Sequence, residues 1–209
     1  MTNSQPKLIL YELNEVPKKI LTEYAKRKPK STLNKLIKEG LFFETKTEDN
    51  GELHPWTTWP TLHRGVTNEL HNIRFINQNN INQSKYKPVW RLLAENNIEI
   101  GIFGSLQSYP PLKSKFTKFY LPDTFSPDSS SYPKYFECFQ SFNLNITNEN
   151  KGEMRSISYD NYFKFFKICF KGLVNLRSFF HTAKHYFLEL FDKRHKRRRP
   201  IIQPILSFE

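Results

Sequence analysis

Apolar residues in the first hundred positions fall into short runs and helical spacings that alternate along the chain. Leu8 to Leu13 (LILYEL) has the length and character of a buried strand and leads straight into the polar pair Asn14 and Glu15. Lys18 to Lys28 and Thr32 to Glu39 carry their apolar residues at helical spacing. Gly40 is expected to stop the second helix before Leu41 to Glu44 resumes an extended pattern. Trp90 to Asn97 (WRLLAENN) predicts another helix, and Ile98 to Phe103 (IEIGIF) then alternates like a parallel strand. This β-α-β rhythm predicts an α/β fold, a three-layer α/β/α sandwich with a mainly parallel sheet.

Beyond this half the pattern changes twice. Pro110, Pro111, Pro122, Pro127 and Pro133, interleaved with Ser and Asp, are expected to break regular structure between about residues 107 and 134. From Tyr159, aromatic and aliphatic residues alternate with Lys at helical spacing, and the cluster KRHKRRR follows. The organisation expected is an α/β half over 1–121, a loop or lid over 122–158, an aromatic basic helical segment over 159–199, and the start of a further strand over 200–209. A domain seldom ends on a newly started apolar strand, so the chain reads as a fragment of a longer fold.

The residues with most chemical content are Pro55 to Ile73, PWTTWPTLHRGVTNELHNI. They combine hydroxyls, a helix start and a Gly turn. Pro60 fits the first turn of a helix, where no backbone N–H is missed. Thr58 would then lie near the N-cap, with free N–H groups and the positive end of the helix dipole turned towards an anion.

Taken with the Leu8 strand, this stretch resembles the alkaline phosphatase superfamily, and within it the type I phosphodiesterase and nucleotide pyrophosphatase branch, over about residues 7 to 105. In that family a first strand ends in a metal-binding Asp. A "P-x-L-x-x-L-x-x-x-G" segment follows, then Thr-aromatic-Pro with the nucleophile, a Gly, and His-Gly-Ile. The corresponding residues here are Asn14, Ser31 to Gly40 (STLNKLIKEG), Thr58-Trp59-Pro60, Gly65 and His71-Asn72-Ile73.

The resemblance implies a metal-dependent hydrolase of phosphate or sulfate esters. Thr58 would be the covalent nucleophile, and divalent ions, zinc by family inference, would activate it. Asn14 stands where the family has Asp, and a neutral amide is a poorer ligand than a carboxylate; Glu12 or Glu15 could supply the charge instead. The interval from Thr58 to Gly65 is shorter than the family's by about three residues, close to one helical turn, which makes Thr57 the runner-up nucleophile. Asn77 lies near where relatives place an Asn on the phosphate, and His71 is expected to serve architecture more than ligation. The family's remaining Asp and His ligands come from a later part of a longer domain, so the isolated chain is expected to be inactive.

Composition adds limits rather than a function. The 209 residues are 38% hydrophobic and 15% aromatic, enough to bury a sizeable core. The formal charge of +12 accompanies an excess of Lys and Asn that an A+T-rich genome also produces, so basicity alone is weak support for any partner. The aromatic basic segment could engage an anionic membrane surface. This gives the alternative reading of a non-catalytic binding or scaffold protein, although a pair of helices packed on the core is the simpler expectation. Nucleic acid is not favoured, because no recognition motif accompanies Lys193 to Arg199. His181 and His185 share a helix face without an acidic or Cys companion and read as packing residues. Cys138 and Cys169 have no metal-like spacing, and there is no apolar leader or membrane-length run, so a cytoplasmic location is expected.

Overall fold

The computed structural model describes residues 7–76, 78, 85–150, 163 and 180. Met1–Gly51 forms one compact unit and Glu52–Glu209 another.

The first unit holds two helices. Helix α1 (Lys18–Arg27) has Lys26 and Arg27 in its last turn, where cations oppose the negative end of the dipole. Helix α2 (Thr32–Glu39) begins at Ser31, whose hydroxyl accepts a 3.2 Å bond from the Asn34 N–H. Gly40 ends α2 as expected, but by close approach rather than by a left-handed turn. Its φ is −91°, and a Cβ there would lie 2.6 Å from the Leu36 carbonyl oxygen.

The expected strand over Leu8 to Leu13 is not formed among the described residues. Leu8, Ile9 and Tyr11 are 90%, 86% and 79% exposed, and Leu41 to Glu44 likewise joins no ladder. An apolar run becomes a strand only when a neighbouring backbone supplies its hydrogen bonds, and no described strand of this unit lies beside it.

The second unit is mixed α/β. It runs α3 (Pro55–Arg64), α4 (Asn68–His71), α5 (Val89–Glu95), β1 (Ile100–Phe103), β2 (Thr117–Leu121), a 3₁₀ turn (Lys134–Phe136) and α6 (Glu137–Asn150). The strands pair in parallel, Ile102 opposite Tyr120 and Phe103 opposite Leu121. Gly101 leaves room for the Phe119 ring, whose carbons lie 2.4 Å from where a Cβ would stand. Trp90 and Ala94 of α5 pack on Ile100 and Tyr120 to form the core, with Leu93, Ile102, Leu112, Phe116 and Tyr132 around it. Tyr132 bonds back to Tyr120 in an antiparallel bridge.

Helix α5 and strand β1 match the expected Trp90 helix and Ile98 strand within two residues at each end. Strand β2 lies inside the region expected to be irregular, because Pro110, Pro111, Pro122 and Pro133 flank it and none interrupts its ladder. The described residues thus show helices and a small parallel pair. No helix among them is long and apolar enough to cross a membrane. The segment over 159–199 and the expected strand over 200–209 lie outside the described residues, apart from Phe163 and Phe180, which are helical and exposed.

Candidate functional site

Helix α3 carries the Thr-Trp-Pro motif, and it starts earlier than Pro60 suggests. Pro55 takes the first helical position and His54 the N-cap, so Thr58 lies at the fourth position rather than near the cap. Both prolines suit a first turn, and Pro55 wins because the Thr57 and Thr58 N–H groups already bond the His54 carbonyl at 2.9 and 3.0 Å. The free N–H groups expected around Thr58 are therefore absent. Its hydroxyl donates a 3.3 Å bond to the same carbonyl and is only half-buried. Thr57 is 2% exposed.

Pro60 falls inside the helix and has no N–H to give the Trp56 carbonyl one turn back. The side-chain amide of Gln107 donates to that carbonyl instead, at 3.4 Å, and to the Phe75 carbonyl at 2.7 Å. Gln107 follows β1 in a left-handed conformation, φ 61°. Its own N–H donates to the Asp123 carboxylate at 2.9 Å. The second carboxylate oxygen accepts the Phe125 N–H at 2.8 Å, and the Asp123 carbonyl accepts the Gln140 amide of α6 at 2.9 Å. A missing N–H in α3 is thus the first link in a chain of bonds that fastens α3 to the loops after both strands and on to α6.

These loops form the C-terminal edge of the parallel pair, where α/β sheets present their sites. Asp123 and Gln140 are buried there. Burial pushes the Asp123 carboxyl above its ordinary range, and the N–H groups of Phe125, Gln107 and Ser108 offset that only in part. His63 joins the same edge: Nε2 lies 3.2 Å from the Ser105 hydroxyl, and the ring meets Trp90 edge-on at 4.9 Å. Arg64 is buried beside it. Desolvation takes its guanidinium down to about 10, with the buried Tyr120 phenol acting the other way, so it stays charged at neutral pH.

His71 ends α4 and does architectural work. Its Nδ1 accepts the Ile73 N–H at 2.9 Å, so a neutral ring carries its proton on Nε2, which lies 3.0 Å from the Thr61 hydroxyl. Thr61 in turn donates to the Thr57 carbonyl at 3.3 Å. Asn72, the next residue, is left-handed at φ 53°, and Gly65 closes α3 at φ 63°. Both are positions where glycine is the easiest residue and Asn the usual substitute.

The other expected site residues fall in the first unit or outside the described residues. Glu12, Asn14 and Glu15 belong to the first unit, on a segment in which Glu12 is half-buried and Asn14 and Glu15 are exposed. Asn77, His181 and His185 lie outside the described residues. Among the described residues no group of three His, Cys, Asp or Glu side chains is placed to hold a metal ion. The described residues by themselves therefore supply no donor set for the two-zinc centre that the resemblance implies.

The residues that organise this edge, Arg64, Gln107, Ser108, Asp123 and Gln140, are not apparent in the motif reading. The available signal was the sequence TKFYL followed by Pro-Asp, a strand with a carboxylate just past its end.

The two threonines are expected to separate in stability. Thr57→Ala should cost about 1–2 kcal/mol, because it empties a buried site. Thr58→Ala removes only a long bond from a half-buried position and should stay within about 0.5 kcal/mol of wild type. Urea unfolding of both variants measures this, and a Thr58→Ala loss as large as that of Thr57→Ala would make Thr58 a structural residue.

Comparison with known proteins finds no matching family model, curated protein or solved structure.

Proposed function

We propose that this chain carries the nucleophile-bearing part of a phosphoric-ester hydrolase of the phosphodiesterase or phosphatase type, with Thr58 as the nucleophile and with a metal site that the described residues leave incomplete. The observation that carries this reading is the contrast on α3: Thr57 is sealed into the fold, while the Thr58 hydroxyl is held by one 3.3 Å bond and remains half-accessible. Thr57, the runner-up, is the poorer candidate on that ground. The left-handed Gly65 and Asn72, in the order that the phosphodiesterase pattern has Gly and His-Gly-Ile, support the same reading. So does the attachment of α3 to the C-terminal edge through Gln107. The three-layer sandwich of that family is part of this proposal, the described parallel pair being its smallest element.

The chemistry available to the described residues is limited. A threonine hydroxyl attacks a phosphoester only when a base or a metal ion takes its proton. The Thr58 hydroxyl donates to the His54 carbonyl, which accepts a hydrogen bond and cannot take a proton. Without an activating group the hydroxyl stays protonated at neutral pH. The residues here orient and shelter it, but they do not complete a reaction. The alternative reading, a scaffold acting through the aromatic basic segment, rests on 159–199 and gains no support from the described residues.

The direct test follows the threonine methyl groups by NMR during titration with a non-hydrolysable phosphonate diester. The Thr58 methyl resonance should shift, and the shift should disappear together with binding in Thr58→Ala. A titration that moves no resonance of α3 would overturn the reading.

A further inference from the structure

The end of α3 and the loop after β1 bury two donors with no acceptor. Arg64 is 9% exposed, and neither terminal guanidinium nitrogen has a hydrogen-bond partner among the described residues. Ser108 is 3% exposed, and its hydroxyl likewise has none. Buried polar groups in folded proteins are satisfied almost without exception, and a buried charge without a counter-charge is among the most costly features a fold can hold.

The two donors belong to one locality. The Tyr120 hydroxyl, wholly buried, donates to the Ser108 carbonyl at 2.6 Å. Tyr120 also feels the Arg64 charge through the packed interior, a charge that favours its phenolate. The preceding residue, His63, contacts Ser105 of the same loop at 3.2 Å, so the last turn of α3 faces the segment that carries Ser108. The phenol cannot serve as the counter-ion, because burial holds it protonated well above the ordinary tyrosine range. The Asp123 carboxylate is occupied by the N–H groups of Gln107 and Phe125.

We propose that Arg64 and Ser108 form an enclosed binding site for a tetrahedral oxyanion, a phosphate or the phosphoryl end of an ester, which accepts from both guanidinium nitrogens and from the hydroxyl. A planar fork of donors matches two oxygens of such an ion, and the hydroxyl supplies a third contact. The site is distinct from Thr58, which lies six residues earlier on α3, about 9 Å along the helix axis. It stands whether or not Thr58 is a nucleophile. Solvent does not reach either group in the closed fold, so the ion is enclosed, and its exchange waits on local opening.

The test is thermal unfolding of the 209-residue chain in a phosphate-free buffer and with added inorganic phosphate, ionic strength matched by potassium gluconate. Phenyl phosphate serves as a second arm that separates a free ion from an ester's phosphoryl end. With phosphate at about a hundred times its dissociation constant, the midpoint should rise by roughly 5–10 °C. In Arg64→Met the rise should vanish, and the phosphate-free midpoint should exceed that of wild type because the uncompensated charge is gone. In Ser108→Ala the rise should shrink, and in Thr58→Ala it should persist. Should Arg64→Met fail to fold, Ser108→Ala carries the test by itself. Equal shifts in wild type and in either site variant, or no shift beyond the gluconate control, would overturn the proposal.

Discussion

Replacing Asp123 by alanine should destabilise the protein by about 3 kcal/mol, since the buried Gln107 N–H left without an acceptor costs about 1–3 kcal/mol and the part-buried Phe125 N–H loses its partner as well. The carboxylate accepts the N–H groups of Gln107 and Phe125 at 2.9 and 2.8 Å, and both lose their partner in the variant. Gln107 is the residue that reaches the open carbonyl of Trp56, so the loss should loosen α3 as well as the strand ends. Asp123→Asn keeps one acceptor oxygen and should lose less. Urea unfolding should show a lower midpoint with an unchanged slope. An alanine variant as stable as wild type would mean that the bond chain from α3 to α6 holds nothing together.

The same carboxyl gives a pH dependence of definite sign. Burial raises it above its ordinary 3.8, so the folded state holds its proton more tightly than the unfolded state does. Its contribution to stability is complete below the unfolded value and is lost as pH rises through the folded one. Wild type should therefore gain stability relative to Asp123→Asn as pH falls from neutral towards that window.

Much of the local structure was legible in the sequence. Helices α1 and α2 follow from apolar spacing, with Ser31 and Gly40 at the ends of α2, and β1 follows from the alternation of IEIGIF. Each of these signals lies within a few neighbouring residues. What depends on distant partners was not legible. Leu8 to Leu13 has the composition of a strand, but no strand among the described residues pairs with it. Strand β2 was hidden by the prolines on either side, which stop it at both ends and spare the residues between. At α3 two prolines each fit a first turn, and only the bonds to the His54 carbonyl show which one takes it.

The site divides in the same way. Thr57, Thr58 and His71 could be singled out from their order, although the division of labour between the threonines is a matter of burial. Arg64 reads in sequence as an ordinary basic residue closing a helix. Its significance lies in the absence of a counter-charge among the described residues, a property of the packed interior. The cofactor expectation depends on donors brought together in space, and among the described residues no three His, Cys, Asp or Glu side chains are placed to hold a metal ion.

The function proposed here needs a Thr58 hydroxyl activated for phosphoryl transfer, and the described residues supply no metal-ligand cluster to activate it. A two-metal centre needs roughly six protein ligands, mostly carboxylate and imidazole, to hold both ions at working distance. Glu12, Asn14, Glu15, Thr58 and His71 fall short of that in number and basicity, and both His71 nitrogens already face hydrogen-bonding partners. The most direct measurement is a calorimetric titration of the 209-residue chain with zinc, paired with turnover of a nitrophenyl phosphodiester in wild type and Thr58→Ala. The result expected is at most one loosely bound ion and no measurable turnover in either protein. Two tight zinc sites, or robust hydrolysis that Thr58→Ala abolishes, would contradict it.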